Sequence, residues 1–224
     1  MIFHEYNTIF FHIGKTGGSS VENALGYKKS KDNTHIRKFL TGWSKEHKLY
    51  LQHMTYRSMK KLVPCWQYNN YSKFTIIRNP WDRIVSAYYY LHNGHEKTFG
   101  CFENFVKHRY QRWKLLVSKN RWMVKDRGSF GEGSHYQPQI EYTHNYNKQL
   151  EVDYILRFET LNDDWKKLCK VLKFGDIELP HKNVSKKRKL PYQEEFSLDT
   201  RDMVNEIYQP DIDFFKYEFD AETS

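Results

Sequence analysis

Short apolar runs alternate along the chain with stretches of helical period. Thr8-Ile9-Phe10-Phe11-His12-Ile13 is β-branched and aromatic without polar alternation, the pattern of a strand buried on both faces. Gly14 to Ser20 is turn-rich, and Val21, Ala24 and Leu25 then fall at helical spacing. Lys48 to Gln52 predicts a second strand and residues 55–63 a short helix. Lys73-Phe74-Thr75-Ile76-Ile77 predicts a third strand. Asn79-Pro80 then opens a helix with Ile84, Val85, Tyr88 and Leu91 as its apolar stripe. Residues 100–127 read as helical, the Gly-rich run 128–133 as a loop, and Val152 to Arg157 as a fourth strand. Asn162 to Leu172 is an amphipathic helix with Trp165, Leu168, Cys169 and Leu172 on one face. Residues 175–198 are irregular and basic, and a last helix covers about 199–208, with a continuation past Pro210 left open.

Strands alternating with helices predict an α/β fold. Its central parallel sheet has about four to five strands flanked by helices. The expected organisation is a single domain over 1–224 with a mainly helical insertion at about 95–150. Ligands of such sheets bind beyond the carboxyl ends of the strands. That draws attention to the loops after the first three strands.

Composition narrows this picture. A mean hydropathy of −0.86 would suit a disordered chain. However, 17% of residues are aromatic, and disordered chains are poor in aromatics. No apolar run approaches the length of a membrane helix, and residues 1–15 lack the pattern of a signal peptide. A soluble or cytoplasmic protein is therefore expected. Cys65, Cys101 and Cys169 are odd in number and have no metal-ligand spacing, so neither a disulfide framework nor a metal site is expected. Lys plus Arg number 36 against 27 Asp plus Glu, a net charge of +9. Such a charge admits nucleic acid, an anionic surface, an anionic polysaccharide or a phosphate-rich cofactor. The densest basic cluster, Lys186 to Lys189, reads as solvated surface or as phosphate ligands.

Two segments carry chemistry. In the first, a strand enters the turn Gly14-Lys15-Thr16-Gly17-Gly18-Ser19-Ser20 and then a helix. Backbone N–H groups, the helix start, the Lys15 ammonium and two hydroxyls make an anion cradle. An ordinary strand-to-helix turn is the plainer alternative. Gly-Lys-Thr suggests a Walker A loop, but that pattern needs a glycine where this chain has Ile9, and the paired glycines follow the lysine. In the second segment, Arg78 ends the third strand and Ser86 lies eight residues on, slightly over two helical turns. An Arg fork with a hydroxyl suits a terminal phosphate. Arg83 reads as a brace for the helix.

These segments resemble the cofactor loops of sulfotransferases that use 3′-phosphoadenosine 5′-phosphosulfate (PAPS). His12-Ile13-Gly14-Lys15-Thr16-Gly17-Gly18-Ser19-Ser20 is similar to the 5′-phosphosulfate loop, H-I-P-K-T-G-G-T-S. Arg78-Asn79-Pro80-Trp81-Asp82-Arg83-Ile84-Val85-Ser86-Ala87-Tyr88 is similar to the 3′-phosphate motif, R-N-P-Y-D-R-L-V-S-A-Y. His135-Tyr136-Gln137-Pro138-Gln139, Val152 to Leu161, Leu179 to Asn183 and Tyr208 to Tyr217 resemble further motifs of the heparan 2-O and chondroitin-type carbohydrate sulfotransferases. Gly14 stands where the motif usually has Pro, and that group's membrane anchor and stem have no counterpart here.

The resemblance implies a P-loop-like, three-layer fold and a PAPS-dependent sulfuryl transfer to an acceptor hydroxyl, with PAP as product. It points to a glycan or small-molecule acceptor and to neither metal nor nucleic acid. It implies Lys15 beside the leaving phosphate oxygen and the N–H groups of Thr16, Gly17, Gly18, Ser19 and Ser20 around the 5′-phosphate. It further implies Arg78 and Ser86 on the 3′-phosphate, and Lys186 and Arg188 as further cofactor ligands. His53 follows the predicted second strand, where the family places its catalytic His, and is the expected general base. A structural strand-end His is the alternative reading. Glu22 is the alternative base, or else a charge on a helix surface. His12 is expected to pack, and His135 to line the acceptor side or to pack against Pro138. A P-loop kinase and a non-catalytic anion- or glycan-binding module are the competing functions.

Overall fold

The computed structural model describes residues 1–27, 38–47, 49–90, 98–118, 135–180 and 190–220. Lys186, Arg188 and the Gly-rich run 128–133 lie outside the described residues. The chain divides into two compact units. One comprises Met1–Ile77 with Asp126–Asn183, the other Arg78–Lys125 with Val184–Ser224.

The first unit is an α/β sandwich. Strands β1 (Ile2–Phe3), β2 (Thr8–Phe11), β5 (Ser72–Ile77) and β6 (Tyr154–Arg157) form one sheet in the order β1-β2-β5-β6. β2, β5 and β6 are parallel, with Phe10 opposite Phe74 and Phe74 opposite Tyr154. β1 is an antiparallel edge strand, Ile2 opposite Ile9. Successive side chains alternate between the faces. Phe10, Phe74, Ile76 and Leu156 pack with Val21 and Leu25 from helix α1 (Gly18–Ala24) and its end, and with Trp165, Leu168 and Cys169 from helix α7 (Leu161–Leu172). Ile9 and Phe11 pack on the other face with Leu51, Met54, Tyr56 and Met59, the last two from helix α2 (Tyr56–Leu62). Covering both faces explains the unbroken apolar run of β2. Helix α3 (Cys65–Asn70) leads into β5, and α6 (Ile140–Thr143) precedes β6.

The expected second strand is not part of this sheet. β3 (Trp43–Ser44) and β4 (Leu49–Tyr50) form a separate antiparallel pair, and Leu51–His53 is a 3-10 turn. β2 has β1 on one side and β5 on the other, so no free edge of β2 remains for it. Among the described residues the central sheet accordingly has four strands, of which one is antiparallel.

The second unit is helical. Helix α4 (Pro80–Tyr90) buries Trp81, Ile84, Val85 and Tyr88, α5 spans Phe102–Ser118, and α8 spans Leu198–Phe215. A capping box starts α8. Ser197 Oγ accepts from the Thr200 N–H, and Thr200 Oγ1 accepts from the Ser197 N–H. Tyr208 is non-helical at φ −111°, so α8 kinks just before Pro210. Among the described residues, no helix is long and apolar enough to cross a membrane.

Candidate active site

In the first unit, β2 ends at Phe11 and α1 begins at Gly18, so residues 12–17 form the loop above the strand end. Two residues of this loop have left-handed backbones, Lys15 at φ 71° and Gly17 at φ 82°. For a lysine that conformation costs about 1–2 kcal/mol. Thr16 is fully buried, and its hydroxyl donates to the Ile13 carbonyl at 2.8 Å. The hydroxyl is thereby spent on bracing the loop, and the backbone N–H is what Thr16 offers a ligand. Asn23 Nδ2 donates to the Ser19 carbonyl at 2.8 Å and braces the start of α1. Lys15 and Ser19 are half-buried, and Ser20 is buried.

Beneath the loop lies a polar cluster. His12 Nδ1 meets Glu22 Oε1 at 2.5 Å, and Gln52 Nε2 donates to the same oxygen at 2.6 Å. His12 and Glu22 are both buried. Burial pushes the Glu22 carboxyl up, but the His12 charge and the hydrogen bonds from His12 and Gln52 outweigh it and hold the group below the usual carboxylate range. Glu22 is therefore an acceptor only, which fixes the proton of His12 on Nδ1. The other side of the His12 ring lies against α1. A Cβ on Gly18 would come within 2.4 Å of His12 Nε2 and Cδ2. Gly18 is a glycine because an imidazole lies where its side chain would go.

His53 ends the 3-10 turn after β4. Its Nδ1 lies 2.9 Å from the His12 carbonyl oxygen. A carbonyl only accepts, so Nδ1–H donates and Nε2 keeps its lone pair. The His53 ring stands edge-on to His12, with centroids 4.5 Å apart, and tilts against His135 at 5.2 Å. Burial, then the His12 and His135 rings, hold His53 well below the ordinary imidazole range, against the opposing pull of the carbonyl. His53 is thus neutral at neutral pH, with an open acceptor nitrogen. Lys15, the Gly14–Ser20 loop, His12, Glu22, Gln52, His53 and His135 all belong to this unit.

Arg78 and Ser86 belong to the second unit and directly follow β5 in the chain. Asn79 caps α4, since its side-chain oxygen accepts from the Trp81 N–H at 3.1 Å. Buried Arg78 donates through Nε to Asp82 Oδ2 at 2.7 Å, which fixes the plane of the guanidinium. Ser86 is one helical turn beyond Asp82 on the same face of α4. Arg83 is a brace. It is fully buried, with its guanidinium 6.0 Å from the Tyr208 ring centroid. Burial, opposed by the Arg83 cation, pushes the Tyr208 hydroxyl up to about 12. Among the described residues, no group of His, Cys, Asp and Glu is arranged to hold a metal.

Glu22 corrects the reading of a surface charge. The signal was present, because Gly18, Val21, Glu22 and Leu25 fall at i, i+3, i+4 and i+7 and share one helical stripe. His12 does pack, as expected, but as one half of a buried polar pair. Gln52 lies in a segment whose pattern predicts a strand, and its spacing alone does not mark it as a partner of Glu22.

The model of the sulfotransferase family matches residues 1–218 of this chain. Neither a curated protein nor a solved structure gives a significant match. The match spans nearly the whole sequence, across both units, and favours sulfuryl transfer over the kinase and binding-module readings. The chain belongs to the sulfotransferase family and is an enzyme of sulfuryl transfer.

Proposed function

We propose that the enzyme transfers the sulfuryl group of PAPS to a carbohydrate hydroxyl, with His53 as general base and the whole chain working as one sulfotransferase domain. The orientation of His53 carries this reading: Nδ1–H is committed to the His12 carbonyl, which leaves Nε2 as a proton acceptor. Its lowered proton affinity keeps that nitrogen unprotonated at neutral pH.

The residues suit an anionic donor. The loop is built of glycines, hydroxyls and one lysine, and Glu22, the carboxylate of α1, is turned onto His12 and Gln52. In the second motif Asp82 pairs with Arg78, so its charge is matched. The backbone N–H groups of Thr16 to Ser20 would hold the 5′-phosphate, and Arg78 with Ser86 the 3′-phosphate. Lys186 and Arg188 are assigned as further cofactor ligands. When bound, PAPS supplies an activated sulfuryl group on a phosphate leaving group. His53 Nε2 takes the proton of the attacking hydroxyl, and the Lys15 ammonium offsets charge on the leaving oxygen. The cationic side chains and amides supply the electrostatic stabilisation, so the reading calls for no metal.

The test is a transfer screen with radiolabelled sulfate on PAPS over glycans, small alcohols and tyrosyl peptides. His53→Ala is expected to lower kcat by about 10²–10⁴-fold, the usual worth of a positioned base. Wild-type turnover by His53→Ala would remove His53 from the mechanism, and labelling of peptides alone would remove the carbohydrate.

A further inference from the structure

Gly14 does not need to be glycine for its backbone. It is absent from the residues with positive φ, where Lys15 and Gly17 do appear. The requirement is spatial. A Cβ at position 14 would lie 2.6 Å from Nδ1 of His135 and 3.3 Å from its Cα. The first of these separations is shorter than any real Cβ contact, and the second involves backbone, which yields little. His135 therefore occupies the volume that any other residue at position 14 would claim. From there its ring reaches His53, with centroids 5.2 Å apart and planes 58° apart. It also lies beside Tyr136.

We propose that Gly14 and His135 form a steric pair that seats the His135 imidazole on the loop after β2, where it acts as a positioning residue for His53. The proposal rests on the reading of His53 as the base. The pair separates two requirements along one short loop. Left-handed Lys15 and Gly17 shape the turn, whereas the missing side chain at position 14 admits a second ring beside the base.

His53 is held by two rings. His12 supplies the carbonyl that fixes Nδ1, and His135 covers a further part of the ring. The charged or titratable groups acting on His53 in this unit are His12 and His135 directly, and the Met1 amine, with Glu22 bonded to the far side of His12. Removing His135 exposes His53 to water and takes away a neighbouring ring whose charge, when protonated, opposes a charge on His53. Both changes favour the protonated form of His53, so its titration moves up.

The test uses the ligand-free protein. Histidine ring ¹³C NMR follows the titration of His53 in wild type, Gly14→Ala, His135→Ala and the double variant. The expected result is an upward shift of about one unit in His135→Ala, the ordinary spread of histidine values in proteins. Gly14→Ala should give a similar shift because it displaces the ring. The double variant should match His135→Ala alone, the signature of two residues acting through one contact. An unchanged His53 titration in His135→Ala, or single shifts that add in the double variant, overturns the proposal. Gly14→Ala keeps the imidazole and His135→Ala keeps the loop, so a folding failure in one leaves the other to decide. Transfer assays with PAPS and an acceptor found in the glycan screen then separate the two levels. Loss of kcat at unchanged KM for PAPS in both single variants supports positioning. Undiminished kcat in His135→Ala rejects the positioning role while leaving the base assignment intact, whereas undiminished kcat in His53→Ala rejects the base assignment, whatever the NMR shows.

Discussion

At the residue scale, the proposed base and its support are separable. His12 contributes two groups to the site, a backbone carbonyl to His53 and a ring N–H to Glu22. His12→Asn keeps a donor near the Nδ1 position, whereas His12→Ala leaves a buried carboxylate with Gln52 alone. His12→Asn should therefore retain more stability and more turnover than His12→Ala. The alanine variant should lose about 3–5 kcal/mol in urea unfolding, as when one partner is cut from a buried pair. Equal stability of the two variants would show that the Glu22 contact is worth little. The depressed proton affinity of His53 also has a sign in stability. Its contribution is fully present above the unfolded value of about 6.5. As pH falls below that value, the unfolded chain takes up a proton that folded His53 refuses, and stability declines. Chemical denaturation between pH 7.5 and 5 should show this decline in wild type and a shallower one in His53→Ala.

At the element scale, the first turn of α8 is held by a reciprocal pair of side-chain bonds. Ser197→Ala should cost about 1 kcal/mol of unfolding free energy with no effect on donor affinity. A change in donor affinity would mean that the start of α8 communicates with the cofactor site. Most elements were legible because they are long and strongly patterned. Phe74 to Ile77 and Trp165 to Leu172 bury the stripes that their spacing announces. The misread element was Lys48 to Gln52. Leu49 and Tyr50 form a two-residue strand and Leu51 to His53 a 3-10 turn, a context that periodicity over five residues does not distinguish from a longer strand. β1 was not anticipated for a related reason. Two residues carry no period, and only the pairing of Ile2 with Ile9 makes them a strand. The candidate site was legible where it is contiguous, at Gly14 to Ser20 and at Arg78 to Ser86. The Gln52–Glu22–His12 chain and the Gly14–His135 contact join residues far apart in sequence, and spacing does not encode such pairs.

At the scale of the whole molecule, the proposed contacts to the 5′- and 3′-phosphates would employ part of the net charge of +9. Adenosine 3′,5′-bisphosphate at a hundred times its Kd should stabilise the protein by about 2.7 kcal/mol. For a chain of this size that corresponds to a rise in Tm of roughly 5–10 °C. The rise should shrink with added salt and be lost in Arg78→Ala. Absence of any shift in the wild type would argue against the two phosphate sites. Neither unit is a continuous piece of chain, because Arg78–Lys125 intervenes between the two parts of the first. That arrangement matters while the protein is being made. When β5 leaves the ribosome, its partner β6 still lies about 80 residues behind it along the chain, so the Phe74–Ile77 edge waits unpaired while α4 and α5 emerge. An apolar strand edge in that position is an invitation to other nascent chains. Closure of this edge is long-range and is expected to be slow, which prolongs the exposure of the unpaired strand.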